Sequence, residues 1–258
     1  MIDIHNHLLG EETLSADTAR AAAVCQRARG EGIEELVVTL RLPPDEGAAR
    51  ASAEGFEFRL NELRQRVPAE LRINRGFEWE LNRGLESLLA NLGRQATIAE
   101  SRYLLVGLAQ WRLQPDCNRL IADIKGMGYV PIISHPECSR ALRHESGALA
   151  GMIEAGALVQ VDALSLTGGY GEEIASFTRQ LLEAGHAHFI ATRASSRTRG
   201  EASLKDARDG AGKIVGRQAA NCLVWDNPRA VLANSTLTEP HPARRRAPIL
   251  KAALTYRG

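Results

Sequence analysis

The sequence predicts an α/β fold, a distorted parallel (β/α)7 barrel of the TIM type. Short runs rich in Val, Ile and Leu recur along the 258 residues without alternating polar positions, which is typical of parallel strands buried on both faces. Amphipathic stretches lie between most of these runs. Seven strand candidates in one chain favour a closed or nearly closed barrel. An open doubly wound sheet is the alternative, but the Gly-rich motif of dinucleotide-binding sheets does not follow the first strand.

The predicted strands are spaced along the chain from its second residue onward. They cover residues 2–5, 35–40, 71–77, 103–108, 130–134, 158–161 and 188–192. Each is short and consists mostly of residues that favour strands. The longest apolar runs are far shorter than the roughly 20 residues that a membrane-spanning helix needs, so we expect no transmembrane segment.

The predicted helices are five amphipathic stretches, residues 15–29, 48–66, 118–127, 172–184 and 204–220. The first is expected to begin near Ser15, a suitable N-cap that precedes an alanine-rich segment. In the second, Phe56, Leu60 and Leu63 recur at helical spacing. Strands and helices therefore alternate, as a βα-barrel requires.

The composition indicates a folded protein that is not a general polyanion binder. Apolar residues make up 44% and the net charge is +1, which argues against disorder and against nucleic-acid binding. Four cysteines without a C-x-x-C pair, and an N-terminus without a signal peptide, predict a cytoplasmic protein. The sequence leaves open whether the chain forms a homo-oligomer.

We expect one barrel domain over residues 1–235 and a basic tail over residues 236–258. The tail contains three consecutive arginines, Arg244 to Arg246. Such a run either makes peripheral contact with an acidic membrane surface or an acidic partner, or it is simply solvated.

Polar and ionisable residues recur just after the predicted strands. In a βα-barrel the carboxyl ends of the strands carry the active site. The residues at these positions are His5, His7, Arg41, Glu78, Glu80, Gly107, Gln110, Ser134, His135, Glu137, Asp162, Ser165, Arg193 and Ser195. Because parallel strands end at one mouth of the barrel, we expect these side chains to lie close together.

His5, His7 and Glu78 form a candidate metal-ligand set. Imidazole and carboxylate suit Zn, Mn or Fe, and three protein ligands leave a position for water, as in catalytic metal sites. His135 follows the fifth strand and is expected to point into the same mouth. The alternative is a pair of strand-end histidines with ordinary hydrogen-bond partners, and the sequence alone leaves both interpretations open.

Five stretches, in the same order, resemble the PHP-type (polymerase and histidinol phosphatase) tyrosine-protein phosphatases of bacterial capsule and exopolysaccharide clusters. They read MIDIHNH, GFEWEL, GYVPIISHPE, LVQVDALSLTGGYG and HFIATRASSRTR, and the resemblance extends from Met1 to about Ala233. It implies the PHP fold, a distorted parallel βα-barrel, with a multinuclear metal site that often depends on manganese. It also implies hydrolysis of phosphotyrosine on a partner tyrosine kinase of polysaccharide export.

The chain departs from the family's pattern at several positions. The histidines and the glutamate that match family metal ligands are His5, His7, Glu78 and His135. The family's T-P-H, strand-four Glu, S-D-A-H and the arginine of H-P-E-R are replaced at Arg41, Gly107, residues 192–195 (TRAS) and Cys138. The resemblance therefore implies a degenerate member that holds manganese or another divalent metal at no more than one or two positions, or none.

Arg41 and Arg193 occupy positions where the family has metal ligands. Arginine can bind phosphate or carboxylate oxygens with two parallel hydrogen bonds. One hypothesis is that they bind an anionic ligand, such as a phosphorylated side chain or a sugar phosphate, together with Arg197 and Arg199. The other is that both arginines form internal salt bridges with acids of the former metal cavity, namely Glu78, Glu80 or Glu137.

Three functions are compatible with these features. The first is a metal-dependent phosphatase of the protein-tyrosine type with a reduced metal site and weak activity. The second is a catalytically inactive member that binds a phosphorylated kinase tail or another anionic ligand through Arg41 and Arg193. The third is a hydrolase of another phosphorylated small molecule. Barrels host many chemistries, so the fold does not choose between them.

Overall fold

Seven parallel strands form one sheet in the order β1 to β7 in the computed structural model, which describes residues 1–10, 17–108, 113–195 and 203–237. The strands are β1 Ile2–Asn6, β2 Glu35–Arg41, β3 Arg72–Glu80, β4 Tyr103–Gly107, β5 Val130–Ser134, β6 Leu158–Asp162 and β7 Phe189–Ala191. Each predicted strand is present, and the predicted fold class is confirmed. The largest difference is in β3, which continues to Glu80, beyond its predicted end at residue 77.

The sheet curls into a nearly closed barrel because the chain after β7 returns to β1. The Arg193 amide donates to the His5 carbonyl at 2.9 Å, and the His7 amide donates to the Ala194 carbonyl at 2.8 Å. His7 and Ser195 form a further parallel bridge. The structure is therefore the nearly closed barrel and not the open doubly wound sheet.

Helices surround the barrel. They are α1 Thr18–Gly30, α2 Glu46–Arg64, α3 Leu85–Leu92, α4 Cys117–Gly126, α5 Arg140–His144, α6 Ser146–Glu154, α7 Ala163–Leu166, α8 Glu172–Glu183, α9 Leu204–Val215, α10 Arg217–Asn221 and α11 Asn227–Leu232. The other helical segments are 3₁₀ turns at Gly93–Ala96, Ile98–Glu100 and Pro136–Cys138, and a π-helical turn at Cys222–Asp226. Among the described helices, none is long and apolar enough to cross a membrane.

Local causes explain two of the differences from the predicted helices. The first helix begins at Thr18 because the Asp17 side chain accepts a hydrogen bond from the Ala19 amide at 2.8 Å and so caps it. Ser15, the predicted N-cap, lies outside the described residues. The predicted helix over residues 204–220 is two helices, because Gly216 adopts a positive φ of 88° between α9 and α10.

Alternate residues of the strands separate into two apolar layers. The inner layer fills the barrel near the strand starts and consists of Ile2, Ile4, Val37, Ile98, Tyr103, Leu105, Ile132, Phe189, Ala191 and Val231. The outer layer packs against the helices. On the inner face, buried polar residues follow towards the strand ends, among them Thr39, Glu78, Ser134, Gln160 and Asp162. The barrel therefore has an apolar floor and a polar mouth, and the mouth contains the candidate site.

Candidate functional site

An irregularity in β1 turns His5 towards the barrel interior. The pairing register of β1 with β2 shifts between Asp3 and Asn6. Ile4 packs in the inner apolar layer, yet the next residue, His5, also lies on the inner side, against Glu78. Regular alternation would place neighbouring residues on opposite faces, and a bulge re-aims a side chain in this way.

Hydrogen bonds on the far side of each ring define the tautomers of His5 and His7. His5 Nδ1 lies 2.8 Å from Gln160 Oε1, and the Gln160 amide nitrogen donates to the Val161 carbonyl at 2.9 Å, which fixes the orientation of the amide. His7 Nδ1 lies 3.2 Å from the Thr39 carbonyl oxygen. Both oxygens can only accept, so each Nδ1 carries the hydrogen and each Nε2 presents a lone pair. These lone pairs face each other, with the two Nε2 atoms 3.0 Å apart.

The two lone pairs and the Glu78 carboxylate converge on one point. Glu78 Oε2 lies 3.8 Å from His5 Nε2 and 3.7 Å from His7 Nε2. A point equidistant from these three atoms lies roughly 2 Å from each, which is a typical metal–ligand distance. Burial lowers the pKa of His5 well below its usual value, so His5 carries no second proton that could bridge the pair. The three side chains therefore fit a divalent metal ion.

His135 approaches the other oxygen of the same carboxylate. Its backbone adopts a left-handed conformation with φ of 36°, directly after β5. His135 Nε2 lies 3.6 Å from Glu78 Oε1, and within the described part of the chain this buried nitrogen has no hydrogen-bond partner. Its ring stacks on that of His5 with 5.9 Å between the centroids. An imidazole nitrogen without a partner, aimed at a carboxylate, is a further potential metal ligand.

Glu78 is fully buried and is held from several sides. Ser134 Oγ donates to Oε1 at 2.5 Å, and Arg41 donates to Oε2 from Nε at 3.2 Å and from Nη2 at 3.1 Å. Burial by itself would raise the pKa of Glu78, but the neighbouring His135 ring and the guanidinium of Arg41 hold it well below its usual value. The carboxylate is therefore ionised and available to a cation.

A second ion pair lies at the carboxyl end of β6. Arg193 Nη1 is 3.7 Å from Asp162 Oδ2, and the Tyr170 hydroxyl donates to the same oxygen at 3.3 Å. Burial raises the pKa of Asp162 despite the charge of Arg193. Arg193 has a positive φ of 48°, which is unusual for a residue with a side chain and points to a tertiary constraint.

Glu137 and Cys138 lie behind this pair. Glu137 Oε1 accepts from the Asp162 amide at 2.7 Å and from Ser165 Oγ at 2.8 Å. Burial, followed by the charge of Asp162, raises the pKa of Glu137 to about 7. Burial raises the pKa of the Cys138 thiol to about 12, so this thiol is neither a ready ligand nor a nucleophile at neutral pH.

The predicted site residues occupy the mouth where the structure describes them. Those that surround Glu78 are His5, His7, Arg41 and His135. Arg41 makes the internal ion pair with Glu78 that one interpretation predicted, and Arg193 pairs with Asp162, an acid that this interpretation did not include. Arg197 and Arg199 lie outside the described residues.

Sequence reasoning missed the residues that orient the histidines. Gln160 and Thr39 hold the His5 and His7 rings, and neither was a candidate. Gln160 lies two positions before Asp162 on the inner face of β6, so strict alternation along a predicted strand would have pointed to it. A buried polar side chain on an otherwise apolar strand was the available signal.

Fold and site together define a TIM-like barrel protein with a candidate metal centre at the carboxyl ends of its strands. The chain belongs to the family described as capsular polysaccharide synthesis, CpsB/CapC, whose model matches residues 1–233. The resemblance to tyrosine phosphatases of bacterial capsule clusters is thereby confirmed at the level of the family.

Individual relatives are similar over most of their length. CapC of Staphylococcus aureus is 31% identical over 215 residues, which are 80% of this chain and 81% of CapC. Tyrosine-protein phosphatase YwqE of Bacillus subtilis is 27% identical over 255 residues, which are 95% of this chain and 98% of YwqE. A crystal structure from work on YwqE and on CpsB of Streptococcus pneumoniae, described as unique metal-dependent tyrosine phosphatases, matches with a TM-score of 0.79 and 27% identity, covering 95% of this chain and 100% of that chain.

Proposed function

We propose that this chain is a metal-dependent phosphoesterase of the protein-tyrosine-phosphatase type that serves capsular or exopolysaccharide synthesis, with a reduced metal site and slow turnover. The observation that carries the proposal is the convergence of the His5 and His7 lone pairs with the ionised Glu78 carboxylate. Support also comes from the relatives, because YwqE and CpsB are metal-dependent tyrosine phosphatases.

His5, His7 and Glu78 would hold one divalent ion, and His135 with the second oxygen of Glu78 could contribute to one more. Imidazole and carboxylate donors suit manganese, zinc or iron, and we propose manganese from the resemblance to the family. A divalent ion supplies Lewis acidity in such a site: it lowers the pKa of water to near neutrality and offsets charge on phosphoryl oxygens.

The chain's own residues would prepare this chemistry. Gln160 and the Thr39 carbonyl keep the Nε2 lone pairs of His5 and His7 directed at the ion, and such outer partners typically contribute a factor of about 10 to 100 in metal affinity. Arg41 and Arg193 would face the phosphoryl oxygens of a substrate, with Arg197 and Arg199 as further anion-binding candidates. Guanidinium groups suit this role because they stay charged and bind oxyanions with two donors.

The proposed partner is a phosphorylated bacterial tyrosine kinase of polysaccharide export, and no nucleic acid is involved. We place the activity in a catalytic barrel over residues 1–235, with residues 236–258 as a basic tail that contacts an acidic surface. From residue 238 onward this tail lies outside the described residues. The four cysteines are unpaired, which supports a reducing compartment such as the cytoplasm.

Metal content and hydrolysis test the proposal together. Protein purified without chelator is analysed for bound metal and assayed with p-nitrophenyl phosphate, with and without added Mn²⁺. We expect about one equivalent of metal, from the one convergent ligand set found among the described residues, and slow hydrolysis that Mn²⁺ stimulates. His5→Ala should lose both properties, whereas His144→Ala, an exposed histidine at the end of α5, should lose neither.

Two outcomes would contradict the phosphoesterase. Bound metal without any hydrolysis would mean that the ion has a structural role and not a catalytic one. Absence of both metal and hydrolysis, with phosphotyrosine still bound, would favour the catalytically inactive, anion-binding member.

A further inference from the structure

One oxygen of Glu78 has two competing sets of neighbours. Glu78 Oε2 accepts hydrogen bonds from Arg41 Nε at 3.2 Å and from Arg41 Nη2 at 3.1 Å. The same oxygen, and not Oε1, is the one that lies 3.8 Å and 3.7 Å from the Nε2 atoms of His5 and His7. A guanidinium and the candidate metal position therefore flank a single carboxylate oxygen.

We infer that Arg41 is a built-in competitor of the metal ion, which weakens metal binding at Glu78 and couples it to the binding of a phosphate dianion. The inference rests on the proposed function, because it requires that His5, His7 and Glu78 hold a metal. It adds a role for Arg41 that goes beyond binding of substrate: this side chain sets how strongly the site holds its ion.

The competition follows from charge. Arginine remains a cation at any physiological pH, so it cannot make way for a metal by losing a proton. Glu78 is fully buried, and repulsion between two cations on one carboxylate is much stronger in such an environment than in water. Arg41 therefore stabilises the metal-free carboxylate and must yield part of its interaction with Oε2 when a metal binds.

An anion relieves this repulsion. With a divalent ion present, the ion, Glu78 and Arg41 together have a net positive charge that one phosphate dianion offsets. Arg41 is at the end of β2 and its side chain is 29% exposed, so it can turn towards a ligand in the mouth. Metal and dianion should consequently strengthen each other's binding, and this coupling is reciprocal.

The first measurement is the affinity for Mn²⁺, by isothermal titration of chelator-treated protein. Arg41→Met removes the guanidinium and keeps much of the apolar stem, and it should tighten Mn²⁺ binding about tenfold, within the usual range of coupling between two sites. Arg41→Lys keeps the charge but not the two-donor geometry of the guanidinium. Its Mn²⁺ affinity should lie between those of the wild type and Arg41→Met. The matched control is Arg50→Met, which removes an exposed arginine whose partner is Glu46, on the same helix α2. It should not alter Mn²⁺ affinity.

The second measurement repeats these titrations with saturating phenylphosphonate, a dianion that is not hydrolysed. In the wild-type protein it should tighten Mn²⁺ binding about tenfold, and in Arg41→Met most of this enhancement should disappear. Thermal unfolding of each variant establishes that it is folded before it is titrated.

The outcomes separate this inference from the proposed function. Equal Mn²⁺ affinity of the wild type and Arg41→Met, with binding in both, would overturn the role of Arg41 and leave the metal-dependent phosphoesterase standing. No Mn²⁺ binding to either protein would overturn both. Binding to Arg41→Met alone would support the inference in its strongest form.

Discussion

Two arginine–carboxylate pairs lie at the mouth of the barrel, and they differ in geometry and in the direction in which the pKa of the acid is shifted. Arg41 donates from two nitrogens to Glu78 at 3.1 and 3.2 Å, whereas Arg193 approaches Asp162 at 3.7 Å. The pKa of Glu78 is held well below its usual value, whereas burial raises that of Asp162. A nearby arginine therefore does not by itself determine the direction in which the pKa of a buried carboxyl group is shifted.

The neighbours of each acid account for the difference. Glu78 lies between the Arg41 guanidinium and the His135 ring. Asp162 has Glu137 beside it: burial raises the pKa of both acids, and the charge of Asp162 raises that of Glu137 further. The Glu78 side of the mouth stabilises a carboxylate, whereas on the other side the pKa values of both acids are raised.

Neutralising each acid separately should produce the largest contrast. Glu78→Gln removes the charge and an anionic metal ligand, so we expect Mn²⁺ affinity to fall more than about 100-fold, beyond the loss typical of an outer partner. Asp162→Asn should change Mn²⁺ affinity by less than about threefold, because Asp162 contacts Arg193 and Tyr170 and not the candidate ligands. Isothermal titration with Mn²⁺ measures both.

The opposite pattern of affinities would refute the assignment of the metal to the Glu78 side of the mouth. If Asp162→Asn weakened metal binding as much as Glu78→Gln, the metal would lie on the β6 side. Comparable thermal unfolding midpoints of the two variants would show that the difference concerns the site and not the fold.

The sequence predicts the strand ends well, because buried parallel strands are short continuous apolar runs and the residue after each run is easy to locate. His5, His7, Glu78 and His135 were found in this way. The bulge in β1 could not be predicted, because no residue type marks it and it arises from how β1 pairs with β2. Without the bulge, alternation would not place Ile4 and His5 on the same side.

The choice of ion-pair partners was also beyond the sequence. Glu78 and Glu80 are two residues apart on β3, so alternation places them on the same face of the strand. Yet Glu78 is fully buried, and Glu80 is exposed at the strand's last position. Which acid an arginine meets depends on the depth at which each strand ends in the barrel. That depth is set by tertiary packing, so Arg41 with Glu78 and Arg193 with Asp162 emerge only from the structure.

The pH dependence of stability tests the contrast between the Glu78 side of the mouth and the side that contains Asp162 and Glu137. Burial raises the pKa of Glu137 from 4.5 to about 7, so the folded state binds this proton more tightly than the unfolded state. The stability contributed by the protonated carboxyl is complete below pH 4.5 and is lost as the pH rises to about 7. Relative to Glu137→Gln, the free energy of unfolding of the wild type should fall over this window by as much as about 3 kcal/mol.

Urea unfolding at a series of pH values measures this difference. Subtracting the Glu137→Gln curve removes the contributions of other groups, such as Asp3, whose pKa burial also raises, to about 6. Parallel curves for the two proteins would mean that the pKa of Glu137 is the same in the folded and the unfolded state, and the contrast between the two sides of the mouth would then have no basis.

The smallest expected effect tests how closely Glu78 is packed. A Cβ on Gly107 would lie 3.0 Å from Glu78 Oε1 and 3.6 Å from Ser134 Oγ, and the first contact is tighter than most contacts that Cβ atoms make in proteins. Gly107→Ala should therefore displace the carboxylate by a few tenths of an ångström and weaken Mn²⁺ binding by about three- to tenfold, since a metal tolerates little change in ligand distance. Gly126→Ala, at the last residue of α4, is the matched control, because an added Cβ there meets no atom within 4 Å. An unchanged Mn²⁺ affinity in Gly107→Ala would show that the Glu78 carboxylate moves freely. In that case the close Arg41–Glu78 geometry, which the Arg193–Asp162 pair lacks, would not govern metal binding.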